Sequence, residues 1–364
     1  MVSKIRVLVV EDSLLFRQML VKHLNADPGI EVVAVASDPF EARDKIIQYN
    51  PDVMTLDIEL PRMDGLEFLQ KLMPQYPIRT IVCSTLSEKV FDAIRAGAVD
   101  FVAKPLTTDR SRLEDFVKYE LPGKVKIAAA ASLKTQKAVQ RVTVSQLQSR
   151  EKIAGIQSPI KQSGKNMVIA IGASTGGTEA TVAVLKGFGS DLPGVVITQH
   201  MPAGFTSMYA ERLDQRSGLD IHVKEAQTGD VIKPGHVLLA PGGDKHMKIT
   251  KVNGEYQVVL QKADKVNGHC PSVDVLFQSV AEVAGANSVG IILTGMGGDG
   301  AKGLLAMRKA GARTIGQDES SCVVYGMPKV AYELGAVEYQ ENIVDIAKRT
   351  YAVVGQMQRD KNIM

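Results

Sequence analysis

The chain has 364 residues, of which 45% are apolar and 23% charged, with a formal net charge of +3. That length exceeds what one hydrophobic core usually serves and predicts two domains, while the composition is that of an ordinary globular protein. A charge this near balance gives no electrostatic ground for nucleic-acid binding, and no run approaches the roughly 18 apolar residues of a membrane span.

The amino terminus, MVSKIRVLVVEDS, does not read as a secretory signal, because Glu11 and Asp12 break its apolar run and no small-residue cleavage site follows. Cys83, Cys270 and Cys322 are widely spaced and form no C-x-x-C pair, so reduced thiols are expected rather than a disulfide framework or a zinc site. Both readings predict a cytoplasmic protein without membrane insertion.

From Ile5 to about Leu121, the apolar runs IRVLVV, EVVAVA, VMTLDI, RTIVCS and DFVAK alternate with amphipathic stretches such as LLFRQMLVKHL. Strands separated by single helices predict right-handed crossovers, hence a flavodoxin-like, five-stranded parallel domain over residues 1–121. In such sheets function gathers at the carboxyl ends of the strands. Glu11 and Asp12 follow the first strand, Asp57 ends the third, Ser84 and Thr85 end the fourth, and Lys104 ends the fifth. Crowded carboxylates need a hard cation or a lysine to neutralise them, and Mg²⁺ prefers oxygen ligands. Such a rim can bind a phosphate donor and pass a phosphoryl group to a carboxylate.

This segment resembles a response-regulator receiver domain. The resemblance implies Asp57 as phosphoacceptor, Glu11 and Asp12 with Asp57 as Mg²⁺ ligands, and Lys104 as the family's lysine. It also implies Ser84 as the switch hydroxyl, with Thr85 as the alternative register, and a histidine kinase as phosphodonor. Members commonly carry Asp-Asp where this chain has Glu11-Asp12, a ligand one methylene longer.

From Pro122 to about Asn166 the periodicity fades. Nine cations, from Lys124 to Lys165, stand against one acid, Glu151, and residues 122–166 read as a basic, flexible linker.

Alternation resumes at Met167 with MVIAIGAS, GVVITQH, HVLLAP, SVGIILTG and RTIGQDE, predicting a doubly wound, mostly parallel α/β domain over 167–355. The piece KITKVNGEYQVVLQK differs: Asn253-Gly254 between two alternating runs signals an antiparallel hairpin.

Ser174 closes the first of these strands in GASTGG, His200 the next in VITQHMP, and Asp299 follows IILTGMGGDG. A serine hydroxyl is a weak nucleophile until an imidazole takes its proton, and the imidazole needs a carboxylate to fix its tautomer. Gly172, Gly176 and Gly177 allow a tight strand-to-helix turn whose N–H groups face a developing oxyanion. The competing reading is a nucleotide site, since the same glycines nearly match G-x-G-x-x-G, with Asp191 downstream. However, Ser174 replaces the glycine that lets backbone approach a pyrophosphate, and no P-loop lysine follows. That alternative would make the chain a phospho-regulated nucleotide-binding output protein. Asp318, ending RTIGQD, is a second candidate acid, and His222, His236, His246 and His269 fit no metal-ligand spacing.

The stretches AIGASTGG, ITQHMPAGFT, VLLAPGG, PSVDVLF, ILTGMGGDGAKG and VVYGMPK resemble the catalytic domain of chemotaxis protein-glutamate methylesterases. The resemblance implies Ser174 as nucleophile, His200 as base then acid, Asp299 as orienting carboxylate and the Met296 N–H as an oxyanion donor. It implies demethylation of chemoreceptor glutamate methyl esters with methanol release and no cofactor for that step. Deamidation of receptor glutamines, activation by receiver phosphorylation that uncovers the triad, and recruitment to receptor clusters belong to the same expectation. The chain departs from many relatives at Cys270, where they carry arginine, so no charge contact is expected from that position.

Overall fold

The computed structural model describes residues 3–85, 87–105, 110–135, 166–216 and 220–363. The chain divides into two compact units, Met1–Gln136 and Lys137–Met364.

In the first unit, strands β1 (Ile5–Val10), β2 (Ile30–Ala36), β3 (Val53–Asp57), β4 (Arg79–Ser84) and β5 (Asp100–Ala103) form one sheet in the order β2-β1-β3-β4-β5. All its pairings are parallel, as the single-helix spacing predicts. Helices α1 (Leu14–Ala26), α2 (Pro39–Tyr49), α3 (Gly65–Gln75) and α4 (Lys89–Ala96) connect successive strands. Local chemistry sets where they begin. Ser13, Asp38 and Asp64 each accept hydrogen bonds from backbone N–H groups of the first turn, at α1, α2 and α3 respectively.

After α5 (Arg110–Asp115) and a π-turn over Phe116–Glu120, helix α6 spans Leu121–Ala130. This corrects the linker boundary suggested by the fading periodicity. Leu121, Val125 and Ala128 are buried, Lys124 pairs with Asp100 at 2.5 Å, and Arg79 Nε donates to Ala131 O at 3.0 Å. The lysines that looked like linker charge are in part the polar face of a helix of the first unit. The rest of the expected linker, residues 136–165, lies outside the described residues.

The second unit holds β6 (Val168–Ala173), β7 (Gly194–Gln199), β8 (His222–Glu225), β9 (His236–Leu239), β12 (Ser288–Ile292), β13 (Arg313–Gln317) and β14 (Tyr339–Glu341) in one sheet. The order is β14-β13-β12-β6-β7-β9-β8, with every pairing parallel. Its helices are α7 (Gly177–Lys186), α8 (Phe205–Arg216), α9 (Val273–Val283), α10 (Ala301–Lys309), α11 (Met327–Glu333) and α12 (Ile346–Ile363). The chain winds outward from β6 in one direction through β7 and in the other through β12, so the switch point lies beside β6. Ligands of open α/β sheets bind at the carboxyl ends there.

The hairpin β10 (Lys245–Val252) and β11 (Glu255–Lys262) forms a separate antiparallel sheet. Val252 pairs with Glu255 across Asn253 (φ 50°) and Gly254 (φ 88°), the two positive φ values that the Asn-Gly signal foretells. Its Met247, Ile249, Tyr256 and Val258 share a core with Leu276, Phe277 and Val280 of α9. Among the described residues, no helix is long and apolar enough to cross a membrane.

Candidate phosphoacceptor pocket and candidate active site

In the first unit, each expected residue stands at a strand's carboxyl end. Glu11 and Asp57 are buried, and one oxygen from each of Glu11, Asp12 and Asp57 lies within 4.8 Å of the others. Lys104 Nζ contacts Asp57 Oδ2 and lies 2.7 Å from Glu11 Oε2. Asp57 Oδ1 accepts from Glu59 N at 3.1 Å. Burial drives the Asp57 carboxyl above its usual range, and Lys104 and the Glu59 N–H oppose that shift without cancelling it. Burial raises Glu11 in the same way. Burial alone would lower Lys104, but Asp57 and Glu11 hold it above an ordinary lysine.

Glu11 and Asp57 share one lysine and exposed Asp12 adds a third carboxylate beside them, so the rim keeps net negative charge and its donors are hard carboxylate oxygens. That donor set fits Mg²⁺. Ser84 is buried beside this rim with its Oγ unpartnered, whereas Thr85 is exposed and its Oγ1 donates to Glu59 Oε1 at 3.2 Å. Of the two hydroxyls, Ser84 is the one free to take a new acceptor.

In the second unit, Ser174 follows β6, His200 follows β7, and Asp299 lies in the loop after β12, so the three occupy neighbouring strand ends. Parallel pairing sets Ala173 opposite Gln199, and His200 N donates to Ala173 O at 3.0 Å. His200 Nε2 lies 2.8 Å from Asp299 Oδ2. The other ring nitrogen, Nδ1, is buried without a hydrogen-bond partner. No hydrogen bond joins it to Ser174 Oγ among the described residues, so the structure closes one link of the expected triad and leaves the other open.

Asp299 is 1% exposed and saturated with donors. Besides His200, Oδ2 accepts from Val273 N at 2.7 Å, while Oδ1 accepts from Ser272 Oγ at 2.7 Å and Asn267 Nδ2 at 2.8 Å. Burial opposes ionisation, but the hydrogen bonds from His200, Asn267 and Ser272 outweigh it and hold the carboxyl well below the usual range. Asp299 thus caps the amino end of α9, a task that Ser272, itself at the N-cap, does not perform with its side chain. Asp318 is engaged elsewhere, accepting from Ser321 N at 3.0 Å and Ser320 Oγ at 2.9 Å within its own turn.

The turn after β6 has Gly176 at φ 77°, and Gly177 N donates back to Ser174 O at 2.7 Å. Ser174 N is taken by Thr294 O at 3.0 Å. Two N–H groups that a nucleotide phosphate would require are therefore occupied, which removes the physical basis of the nucleotide reading. Gly295 makes the closest approach: a Cβ there would meet Ser174 Cβ at 2.7 Å and Met327 Sδ at 2.3 Å. The GMGG loop is tied to the 324–327 segment through Gly295 N to Val324 O at 3.1 Å and Met327 N to Gly295 O at 2.8 Å. Met296 therefore adjoins the serine and is itself exposed.

Several groups at this site escape sequence reasoning. Gln199 Nε2 donates to Ser174 O at 2.9 Å, and the His269 ring stacks on His200 at 3.7 Å with a 10° interplanar angle. Ser272 and Asn267 carry signals that could have found them. Ser272 precedes an apolar helical run, and Asn267-Gly268 is a second Asn-Gly turn, with φ of 53° and 82°. Cys270 is partly buried, and burial raises its thiol above the ordinary value. His222 and His236 belong to no potential metal cluster; among the described residues only Glu11, Asp12 and Asp57 form one.

Fold and rims together define a class: a receiver domain joined in one chain to a doubly wound α/β domain with the residue types of a serine hydrolase. Family models agree, that of the response regulator receiver domain matching residues 7–117 and that of the CheB methylesterase matching 169–350. A protein-glutamate methylesterase/protein-glutamine glutaminase 2 of Syntrophomonas wolfei is 56% identical over 97% of this chain and 99% of its own length. The corresponding protein of Syntrophotalea carbinolica is 52% identical over 96% and 97%. The crystal structure of the Thermotoga maritima CheB methylesterase catalytic domain is 37% identical, with a TM-score of 0.50, covering 52% of this chain and 99% of that one. The chain belongs to the protein-glutamate methylesterase/protein-glutamine glutaminase family.

Proposed function

We propose that this chain removes methyl groups from glutamate esters on chemoreceptors, through an acyl-serine at Ser174, under control of phosphorylation at Asp57. The observation that carries this reading is the buried His200–Asp299 pair, 2.8 Å apart, at the strand ends beside Ser174. With Nε2–H directed at Asp299, Nδ1 is the bare nitrogen and takes the proton of Ser174 Oγ as the oxygen attacks the ester carbonyl carbon. The C–O bond to the methoxy group then breaks, and His200 returns the proton to the leaving oxygen, releasing methanol. Water next attacks the acyl-serine, giving its proton to His200, and the free glutamate leaves as the proton returns to Ser174. Loss of ammonia from a glutamine side chain reaches the same acyl-enzyme, so glutaminase activity uses the same residues.

The Met296 N–H, which no protein acceptor takes among the described residues, supports an oxyanion role. Asp299 stays ionised throughout, holding the ring and stabilising its cation.

In the receiver, Glu11, Asp12 and Asp57 would hold Mg²⁺, which offsets the charge on a transferring phosphoryl group. Asp57 accepts that group from a histidine kinase, and Lys104 and Ser84 offer a cation and a hydroxyl to its oxygens. Residues 1–135 act as the receiver, 167–355 as the hydrolase, and the tethered receiver covers the hydrolase until phosphorylated. The protein works in the cytoplasm, beside receptor clusters.

The test is methanol release from methylated receptor membranes by the full chain, with and without a small phosphodonor and Mg²⁺. Release that rises with the phosphodonor is expected; no release under either condition would refute the assignment.

A further inference from the structure

The hairpin β10–β11 plays no part in the chemistry above, yet it buries an imidazole. His246 on β10 is 1% exposed. Its Nε2 lies 2.9 Å from Asp264 O, an atom that only accepts, so Nε2 carries the proton. Its Nδ1 lies 3.0 Å from Ser272 N, an atom that only donates. Both contacts are satisfied by one form of the ring, the neutral Nε2–H tautomer.

The hairpin has other means of docking. Met247, Ile249, Tyr256 and Val258 already bury the hairpin against α9, and Ile249 N donates to Ser279 Oγ at 3.0 Å. An apolar side chain would suit that core better than an imidazole, whose burial costs unless both nitrogens are paired. The contact that His246 does supply falls on the residue holding the triad carboxylate: Ser272 Oγ donates to Asp299 Oδ1 at 2.7 Å, and the next N–H, of Val273, donates to Oδ2 at 2.7 Å.

We propose that His246 is a positioning residue for Asp299, acting through Ser272. By accepting the Ser272 N–H it fixes the backbone at the start of α9, and with it two of the donors that orient the carboxylate toward His200. The hairpin thereby serves as a buttress of the hydrolytic site. This inference rests on the triad reading proposed above.

In the full chain, His246→Asn keeps an acceptor near the Nδ1 position, whereas His246→Leu removes it. Methanol release from methylated receptors and the rate at which a fluorophosphonate labels Ser174 are measured for both. His246→Leu should lower kcat and labelling by up to about 10²-fold with KM unchanged, the scale expected for slight misplacement of a catalytic group. His246→Asn should restore most of the loss. A folded His246→Leu variant with wild-type kcat, or an Asn variant as slow as the Leu variant, would overturn the proposal. Should either variant fail to fold, ¹⁵N NMR of wild-type His246 at neutral pH decides: an Nε2–H neutral ring supports it, and an Nδ1–H ring or an imidazolium overturns it. Ser174→Ala is the control that separates the two readings. If that variant still turns over, the triad itself is wrong; if it is inactive while His246→Leu is fully active, only the role of His246 is lost.

Discussion

Asp57 ends a parallel strand and Asp299 lies in the loop after one, both at the carboxyl edge of a sheet, and each is almost fully buried. Their surroundings differ. Asp57 has one backbone N–H and a lysine that it shares with Glu11, and burial keeps its carboxyl above the usual range. Asp299 is ringed by donors from Asn267, Ser272, Val273 and His200, which hold it below that range against the same burial penalty. An under-satisfied carboxylate suits a group that must gain a cation and a phosphoryl. A saturated one cannot readily take either, and suits a group whose task is to hold an imidazole still. Donor supply, more than depth of burial, separates the two.

The sharpest way to break this comparison lies outside either carboxylate. Ser174→Ala removes the proposed nucleophile, and methanol release should fall by on the order of 10⁶-fold with the melting temperature unchanged. A variant retaining a tenth of wild-type release would discard the triad.

Asp299→Asn comes next. By analogy with other triads, turnover should drop by about 10⁴-fold with substrate binding intact, and the double variant with His200→Gln should be far from additive. The amide also disturbs a network of charge-assisted hydrogen bonds, so stability at neutral pH should fall by about 2–3 kcal/mol. Because the folded carboxyl is depressed, its stabilisation is present above the ordinary aspartate range and lost as pH falls through the folded value. The melting difference between wild type and variant should therefore close on acidification. A constant gap would mean that the ionised form contributes nothing.

Asp57→Asn should do the opposite to stability. The folded state disfavours the ionised acceptor, so without divalent cations at pH 7 the variant should melt no lower than wild type. Its methanol release should keep only the basal rate and ignore phosphodonor. A fragment beginning near Gly164 should exceed that basal rate, and a folded fragment no faster than the unphosphorylated chain would exclude covering by the receiver.

The smallest effect concerns the receiver boundary. A receiver ending at residue 121 should be less stable than one ending at 135, because it loses the buried Val125 and Ala128 of α6. A deficit of roughly 2–3 kcal/mol in urea unfolding is expected. Equal stability would return those residues to the linker.

The strand ends were readable because alternation of apolar runs fixes both the sheet and its carboxyl edge, and that edge is where Asp57, Lys104, Ser174 and His200 stand. The hairpin was readable from Asn253-Gly254 between two alternating runs. Helix α6 was not, since its lysines interrupt the apolar stripe of Leu121, Val125 and Ala128. Strand β14 has only three residues, and β8, HVKE, has Val223 as its one fully buried residue, so neither shows an apolar run. The assembly of the support around Asp299 was hidden even though Asn267 and Ser272 carry local signals, because they and His246 lie far from Asp299 in sequence and come together with it only once α9 and the hairpin have packed.

The most direct measurement maps both modifications on one sample. The full chain is incubated with a small phosphodonor, Mg²⁺ and a fluorophosphonate, acyl phosphates are reduced with borohydride, and the peptides are sequenced by mass spectrometry. The account predicts reduction to homoserine at position 57, an unmodified Asp299, and a phosphonyl adduct on Ser174 that forms faster with phosphodonor than without. An adduct on another serine, or phosphorylation of a carboxylate other than Asp57, would contradict it.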